Sequence, residues 1–170
     1  MEIKFDNITL KTSTLEELEK LNFIHKEACE FLSFDLKHDI TEPYIYITDG
    51  ALPPNGVRKN FEMLSCYVDN NLCGYLNYYR GYPEKNILYI SFIYLINEIK
   101  HKGIGKKIIN YLSEYFKIEG YKYVRLSVSL KNWEGLRFWH KCGFERIILA
   151  DCSGSLFNND YGCLELEKML

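Results

Sequence analysis

The chain has 170 residues and a mass of 20.1 kDa, enough for one domain to bury about two-thirds of its unfolded surface without a disulfide or a metal. It is 47% hydrophobic and 26% charged, with 21 Lys plus Arg against 23 Asp plus Glu. That balance excludes a disordered chain, a fibrous repeat and a globally basic surface for a nucleic-acid backbone. The longest apolar run, Ile87 to Ile96, is far short of the roughly 20 residues of a membrane helix and reads as a buried strand. Nothing at the N-terminus resembles an export signal. The six cysteines, Cys29, Cys66, Cys73, Cys142, Cys152 and Cys163, form no CxxC pair and no zinc-type spacing. Reduced thiols in a cytoplasmic protein are expected, with no metal, nucleic-acid or membrane partner.

In chain order, a strand is predicted from Ile3 to Leu10. Thr12, Ser13 and Thr14 then offer a helix N-cap, with Glu16 and Glu17 in the favourable first turn. Leu15, Leu18, Leu21 and residues of the Phe23 to Ala28 stretch supply a helical stripe, and a second helical piece is predicted from Glu30 to His38. From Ile40 to Asn60 prolines and glycines interrupt every period, which predicts a long functional loop. Strands follow at Phe61 to Val68 and Leu72 to Tyr79, joined by Asp69-Asn70-Asn71, and again at Ile87 to Leu95. Ile104, Ile108, Leu112 and Phe116 mark an amphipathic helix closed by Gly120. Tyr121 to Leu130 is a strand, Asn132 to Lys141 a short helix capped by Gly143, and Phe144 to Ala150 and Cys163 to Met169 are the last strands. The order specifies a mixed α/β sheet in a single domain spanning residues 1–170.

The chemistry concentrates after the Ile87 to Leu95 strand. There Lys100, His101 and Lys102 precede Gly103-x-Gly105, and Lys106 and Lys107 follow at the start of a helix. Paired glycines let backbone N–H groups approach an anion, and the helix start adds partial positive charge. A dinucleotide fingerprint is excluded because Ile108 stands where the third glycine belongs. A P-loop is excluded because Glu98 stands five residues before Gly103 and Lys107 follows Gly105-Lys106.

Lys100-x-x-Gly103-x-Gly105 heading a helix, followed by Asn132-x₅-Phe138-Trp139-x-Lys141-x-Gly143-Phe144, resembles the GNAT N-acetyltransferase superfamily. Its pattern is Arg/Gln-x-x-Gly-x-Gly/Ala, then a strand, an Asn and a helix ending in Tyr-x-x-x-Gly-Phe. The resemblance implies a central sheet of about six to seven strands with flanking helices, splayed between the strands near 87–95 and 121–130. It implies acetyl-CoA as co-substrate. Ile93, Tyr94 and Leu95 would offer backbone groups to the pantetheine arm and acetyl carbonyl. Lys100, His101, Lys102, Gly103, Ile104, Gly105 and Lys106 would surround the pyrophosphate. Asn132 would hydrogen-bond the coenzyme, with Phe138 beside it and Lys141 in the same binding set. The acceptor would be a primary amine of a small molecule or peptide, attacking the thioester directly; a homodimer stays open.

Two departures from the family pattern bear on catalysis. Lys100 replaces Arg or Gln, keeping the charge but not the bidentate geometry. Trp139 occupies the position of the family's general acid, and an indole N–H is no acid in this range. Tyr94 or a water is the substitute acid, unless the thiolate leaves unassisted. For the base, Ser127 stands where some relatives carry a glutamate. Glu98 is the candidate taken, with Glu84, Asp35, Asp39, Glu42 and Asp49 as other carboxylates nearby in sequence. His140 should be exposed. The six tyrosines from Tyr75 to Tyr94 could line an acceptor pocket, with roughly half expected on each sheet face. The competing reading is a non-catalytic acyl-CoA-binding domain of the same fold.

Overall fold

In the computed structural model, which describes residues 2–34, 40–151 and 162–170, Asp6 and Asn7 divide the first expected strand into a hairpin. Asp6 takes a left-handed φ of 49°, a conformation its short side chain tolerates, and β1 (Glu2–Phe5) folds back on β2 (Ile8–Thr12). Among the described residues the sheet therefore has eight strands rather than six or seven.

A 3-10 turn, Leu15–Glu17, leads into α1 (Leu18–Phe31), whose buried side is Leu21, Ile24 and Ala28. The expected second helical piece stops short: Leu32 to Phe34 form a turn, and its remainder, with Asp35 and Asp39, lies outside the described residues, as does Cys152. The Ile40 to Asn60 loop contains a short helix, α2 (Pro43–Thr48), started by a proline whose missing N–H costs nothing at that position. Arg58 fastens it, donating to the carbonyls of Thr48 at 3.0 Å, Ile47 at 2.7 Å and Phe61 at 3.0 Å.

β3 (Phe61–Val68) and β4 (Asn71–Arg80) meet through Asp69 and Asn70, both at positive φ, the twist a two-residue hairpin turn requires. β5 (Ile87–Leu95) leads to α3 (Ile104–Ile118), then β6 (Tyr123–Ser129), α4 (Trp133–Lys141), β7 (Arg146–Asp151) and β8 (Cys163–Met169). The spatial order is β1-β2-β3-β4-β5-β6-β8-β7. Every neighbouring pair is antiparallel except β5 and β6. Among the described residues no helix is long and apolar enough to cross a membrane. Among the described residues, Cys66, Cys73, Cys142 and Cys163 form no disulfide.

Each face of the sheet carries its own core. One packs Leu76, Tyr78, Leu88 and Ile90 against Ile108, Leu112 and Phe116 of α3 and Trp139 of α4. The other packs Tyr75, Tyr79 and Tyr94 against Leu21, Ile24 and Ala28 of α1 and Tyr46 of α2. Five of the six tyrosines between positions 75 and 94 lie on this second side and only Tyr78 on the first, so the expected even split is corrected. The reason is a bulge. Asn77 opposes Phe92 and Tyr78 opposes Ile90, leaving Ser91 as an extra residue in β5. The insertion keeps Tyr89 and Tyr94, an odd distance apart, on one face.

Glu17 fixes where α1 starts. It is 9% exposed, accepts from Thr14 N–H at 2.9 Å and Ser65 Oγ at 3.2 Å, and also takes the Tyr67 phenol and the Lys11 ammonium. Burial pushes its carboxyl upward, but Tyr67, Thr14 and Lys11 together outweigh that and hold it below the ordinary carboxylate range. Glu17→Gln is expected to cost about 1.5–3 kcal/mol at neutral pH, read from urea denaturation. Because the folded value is depressed, this stabilisation is present above the unfolded carboxyl range and is lost as pH falls through the folded value. The gap between wild type and variant should therefore close on acidification.

Candidate active site

β5 and β6 are partners over only three positions, Ile87 with Tyr123, Leu88 with Val124 and Tyr89 with Arg125. Beyond Tyr89 the two strands part. β5 keeps its antiparallel ladder with β4, extended by Ile96 N–H on the Cys73 carbonyl at 2.9 Å. Alternation along that ladder gives the backbone of Tyr94 to β4 and turns the backbone of Ile93 and Leu95 toward the gap. Of the three residues expected to offer backbone groups, Ile93 and Leu95 thus face the gap and Tyr94 faces β4.

The gap ends at the start of α3. His101 and Gly103 both adopt left-handed φ, 60° and 81°, which curls the chain so that successive N–H groups can converge on an anion. A Cβ on Gly103 would meet nothing within 4 Å, so its glycine is required by conformation alone. Gly105 is required by contact: a Cβ there would stand 3.0 Å from the Phe138 ring, through which α4 covers the first turn of α3. His101, Lys102 and Lys106 are exposed around this start and Ile104 is half-buried. Lys107 turns away to Asp6, at 2.8 Å. Asn132 caps α4, its Oδ1 accepting from Gly135 N–H at 2.8 Å; this commits the oxygen expected to meet the coenzyme. Lys141 is exposed at the far end of α4. The open backbone edge, the unpaired first N–H groups of a helix and the cations beside them fit an elongated ligand carrying a pyrophosphate. Among the described residues no cluster of His, Cys, Asp and Glu is arranged to hold a metal ion.

Lys100 does not join those cations. Its ammonium lies 3.8 Å from the Phe31 ring centroid and 4.2 Å from that of Tyr94, and donates to Tyr94 Oη at 3.0 Å. Tyr94 Oη in turn donates to Glu27 Oε1 at 3.0 Å, and the same oxygen accepts from Asn97 N–H at 2.8 Å. Glu27 therefore ties α1 to the end of β5. Burial first, and then the hydrogen bond and charge of Glu27, hold the Tyr94 phenol protonated well above the ordinary tyrosine range. Burial lowers the pKa of Lys100, against an upward pull from Glu27 and Glu134. Glu98, the base expected from sequence, is exposed in the turn Asn97–Ile99, as are Glu42, Asp49 and Glu84 elsewhere. Sequence reasoning missed Glu27. The available signal was a carboxylate at 27 between Ile24 and Phe31, on the apolar stripe of α1.

Ser127 is exposed on β6 and His140 on α4. Trp139 is 7% exposed and packs edge-on against Phe138 and Phe144, with centroids 4.8 and 5.1 Å away. Its place is the core between α4 and the sheet.

An open mixed sheet that parts above a glycine-shaped helix start leaves a gap whose form suits an extended, anion-bearing ligand. The profile of the Acetyltransferase (GNAT) family matches residues 21–144. The chain belongs to that family. Its fold is shared by an acetyltransferase of Salmonella typhimurium that modifies the N-terminal serine of ribosomal protein L7/L12, with a TM-score of 0.73 at 12% identity over 96% of this chain and 95% of that one. Spermidine N-acetyltransferase from Vibrio cholerae, in complex with CoA and spermine, gives 0.70 at 14% identity over 96% and 95%. PaiA N-acetyltransferase from Thermoplasma acidophilum, in complex with coenzyme A, gives 0.66 at 22% over 96% and 99%. No curated protein matches the sequence.

The packing of Trp139 yields a direct expectation. Trp139→Tyr should lower stability by about 1–3 kcal/mol through lost core volume and a buried hydroxyl, seen in chemical denaturation. Turnover should not rise, because the position holds the helix to the sheet.

Proposed function

We propose that the chain is an N-acetyltransferase that moves an acetyl group from acetyl-CoA to a primary amine of a small molecule or peptide by direct attack with both reactants bound. One feature supports it above the others: a carboxylate–phenol pair, Glu27 and Tyr94, stands at the end of β5, the strand whose backbone opens onto the gap. The coenzyme A bound in the Thermoplasma and Vibrio relatives agrees with this donor, and the spermine bound in the latter agrees with an amine acceptor.

Acetyl-CoA supplies an activated acyl group with a thiolate as its leaving group. The chain's own part begins with holding the two reactants in one cleft, which is worth much of the rate as effective molarity. N–H groups from Ile93 or Leu95, turned into the gap, are the donors available to a carbonyl oxygen as it gains negative charge. An alkylammonium must lose a proton before it can attack, and Glu27 is the carboxylate on that side able to accept it. Once Glu27 has taken that proton, the Tyr94 O–H turns from it to donate a hydrogen bond to the departing sulfur. The left-handed turn at Gly103 and the first turn of α3, with His101, Lys102 and Lys106, hold the pyrophosphate.

Trp139 supports the second reading, a coenzyme-binding domain without turnover, since the family's acid is absent there. Release of free thiol from acetyl-CoA with a panel of amines separates the two, because tight binding without release would favour the non-catalytic domain. On the first reading, Glu27→Gln and Tyr94→Phe should each lower kcat, by about 10²-fold or more for Glu27. Gly103→Val should weaken coenzyme binding in calorimetry, with about 1–2 kcal/mol of stability lost to the strained φ. Unchanged affinity would overturn the pyrophosphate assignment.

A further inference from the structure

Lys100 is the cation that opens the family pattern, yet its ammonium is folded back against two aromatic rings on the α1 side. The pocket that receives it has three parts. The face of Phe31 attracts a cation through its ring quadrupole. Tyr94 Oη accepts a hydrogen bond from the ammonium while giving its own proton to Glu27. Glu27 supplies the negative charge, and both of its hydrogen bonds from described residues end on Oε1, so Oε2 has no donor among those residues.

These parts are the recognition chemistry of a primary alkylammonium. An aromatic face suits the charge and the first methylenes, a phenol oxygen takes one N–H, and a carboxylate neutralises the rest. An aryl amine has no ammonium at neutral pH and would gain little from the pocket. Building on the acetyltransferase reading, we infer that the pocket of Phe31, Tyr94 and Glu27 is the acceptor's ammonium site, and that Lys100 fills it as an internal stand-in until an aliphatic amine displaces it.

Two further observations agree. The pocket lies at the end of β5 whose neighbouring residues Ile93 and Leu95 turn their backbone into the gap, so an amine held there is next to the proposed acyl site. Half-burial also weakens an ammonium's hold on its proton, as the lowered pKa of Lys100 shows, and an acceptor must shed that proton before it attacks. Self-occupancy has a quantitative consequence. A pocket vacant only about a tenth of the time binds an external ligand about tenfold more weakly than its intrinsic affinity.

The test compares the full chain with Lys100→Met, which keeps an apolar stem and removes the charge, using n-butylammonium chloride as the calorimetric probe. The variant is expected to bind it about five- to tenfold more tightly than wild type, and adding Glu27→Gln should abolish the gain. In steady state the amine KM should fall in Lys100→Met while the acetyl-CoA KM does not rise. Lys100→Gln gives the same comparison with a polar stem should the methionine variant melt early. Equal affinities in wild type and variant, or a gain that survives Glu27→Gln, overturn the inference. So does a raised acetyl-CoA KM with unchanged amine binding, which would return Lys100 to the pyrophosphate. Acetylation of Lys100 itself, seen as added mass on its peptide, would make it an acceptor and not a stand-in. Absence of thiol release with every amine sinks the enzyme reading alone, because the calorimetric comparison does not depend on turnover.

Discussion

β5 and β6 run parallel and touch at only three positions before they separate. An interior pair of strands that parts in this way would be costly if either depended on the other for its hydrogen bonds. Neither does. β5 is held along its length by antiparallel β4, and β6 by antiparallel β8 over seven residues. The separation therefore leaves backbone groups facing a gap without loosening the strands that carry them. An ion cluster on a buried carboxylate secures the β6 side: Glu167, 2% exposed, lies 2.5 Å from Arg125 Nε and 2.6 Å from Arg146 Nη1, joining β6, β8 and β7. The two cores then take different roles. The α3 and α4 side positions a helix start beneath the gap, and the α1 and α2 side brings a carboxylate to its rim.

Charge follows the same division. The chain's formal net charge is only −2, so attraction of an anionic coenzyme falls to local placement, and not every cation near the α3 start contributes. Lys107 is engaged by Asp6, and Lys100 crosses to the other face of the sheet. That leaves the exposed Lys102 and Lys106 with the helix start itself, where partial charge on the first N–H groups is fixed by geometry and independent of pH.

Much of this was legible in the residues. Phe61 to Val68, Ile87 to Leu95 and Cys163 to Met169 were read with their observed limits, because period-two or continuous apolar runs bounded by turn residues leave little choice. The glycine motif placed the helix start, and Gly143 the end of α4. What escaped depends on interactions between distant residues or on single-residue events. Asp6-Asn7 reads as part of a strand unless one weights two turn-forming residues above the flanking alternation. α2 is only six residues long and is held by Arg58 from outside the helix, so no local period announces it. Nothing local singles out Glu27, because its partners, Tyr94 and Asn97, are about seventy residues away. Lys100 has a stem long enough to reach either face, and sequence spacing does not say which.

The extra residue at Ser91 sets a rule about phase. It is exposed and makes up no part of either core, so its chemical identity is of little consequence. Its place outside the ladder is another matter. Pairing it with β4 in a bulge-free ladder would turn Phe92 and Tyr94 to the α3 side, while Ile93 and Leu95 would rotate toward α1. The phenol that meets Glu27 would then lie on the wrong side of the sheet. Deleting it, by contrast, would leave Tyr89 and Tyr94 an even distance apart and both on the α1 side. The strand can lose this one residue and keep its faces, but it cannot take the residue into the ladder and do so.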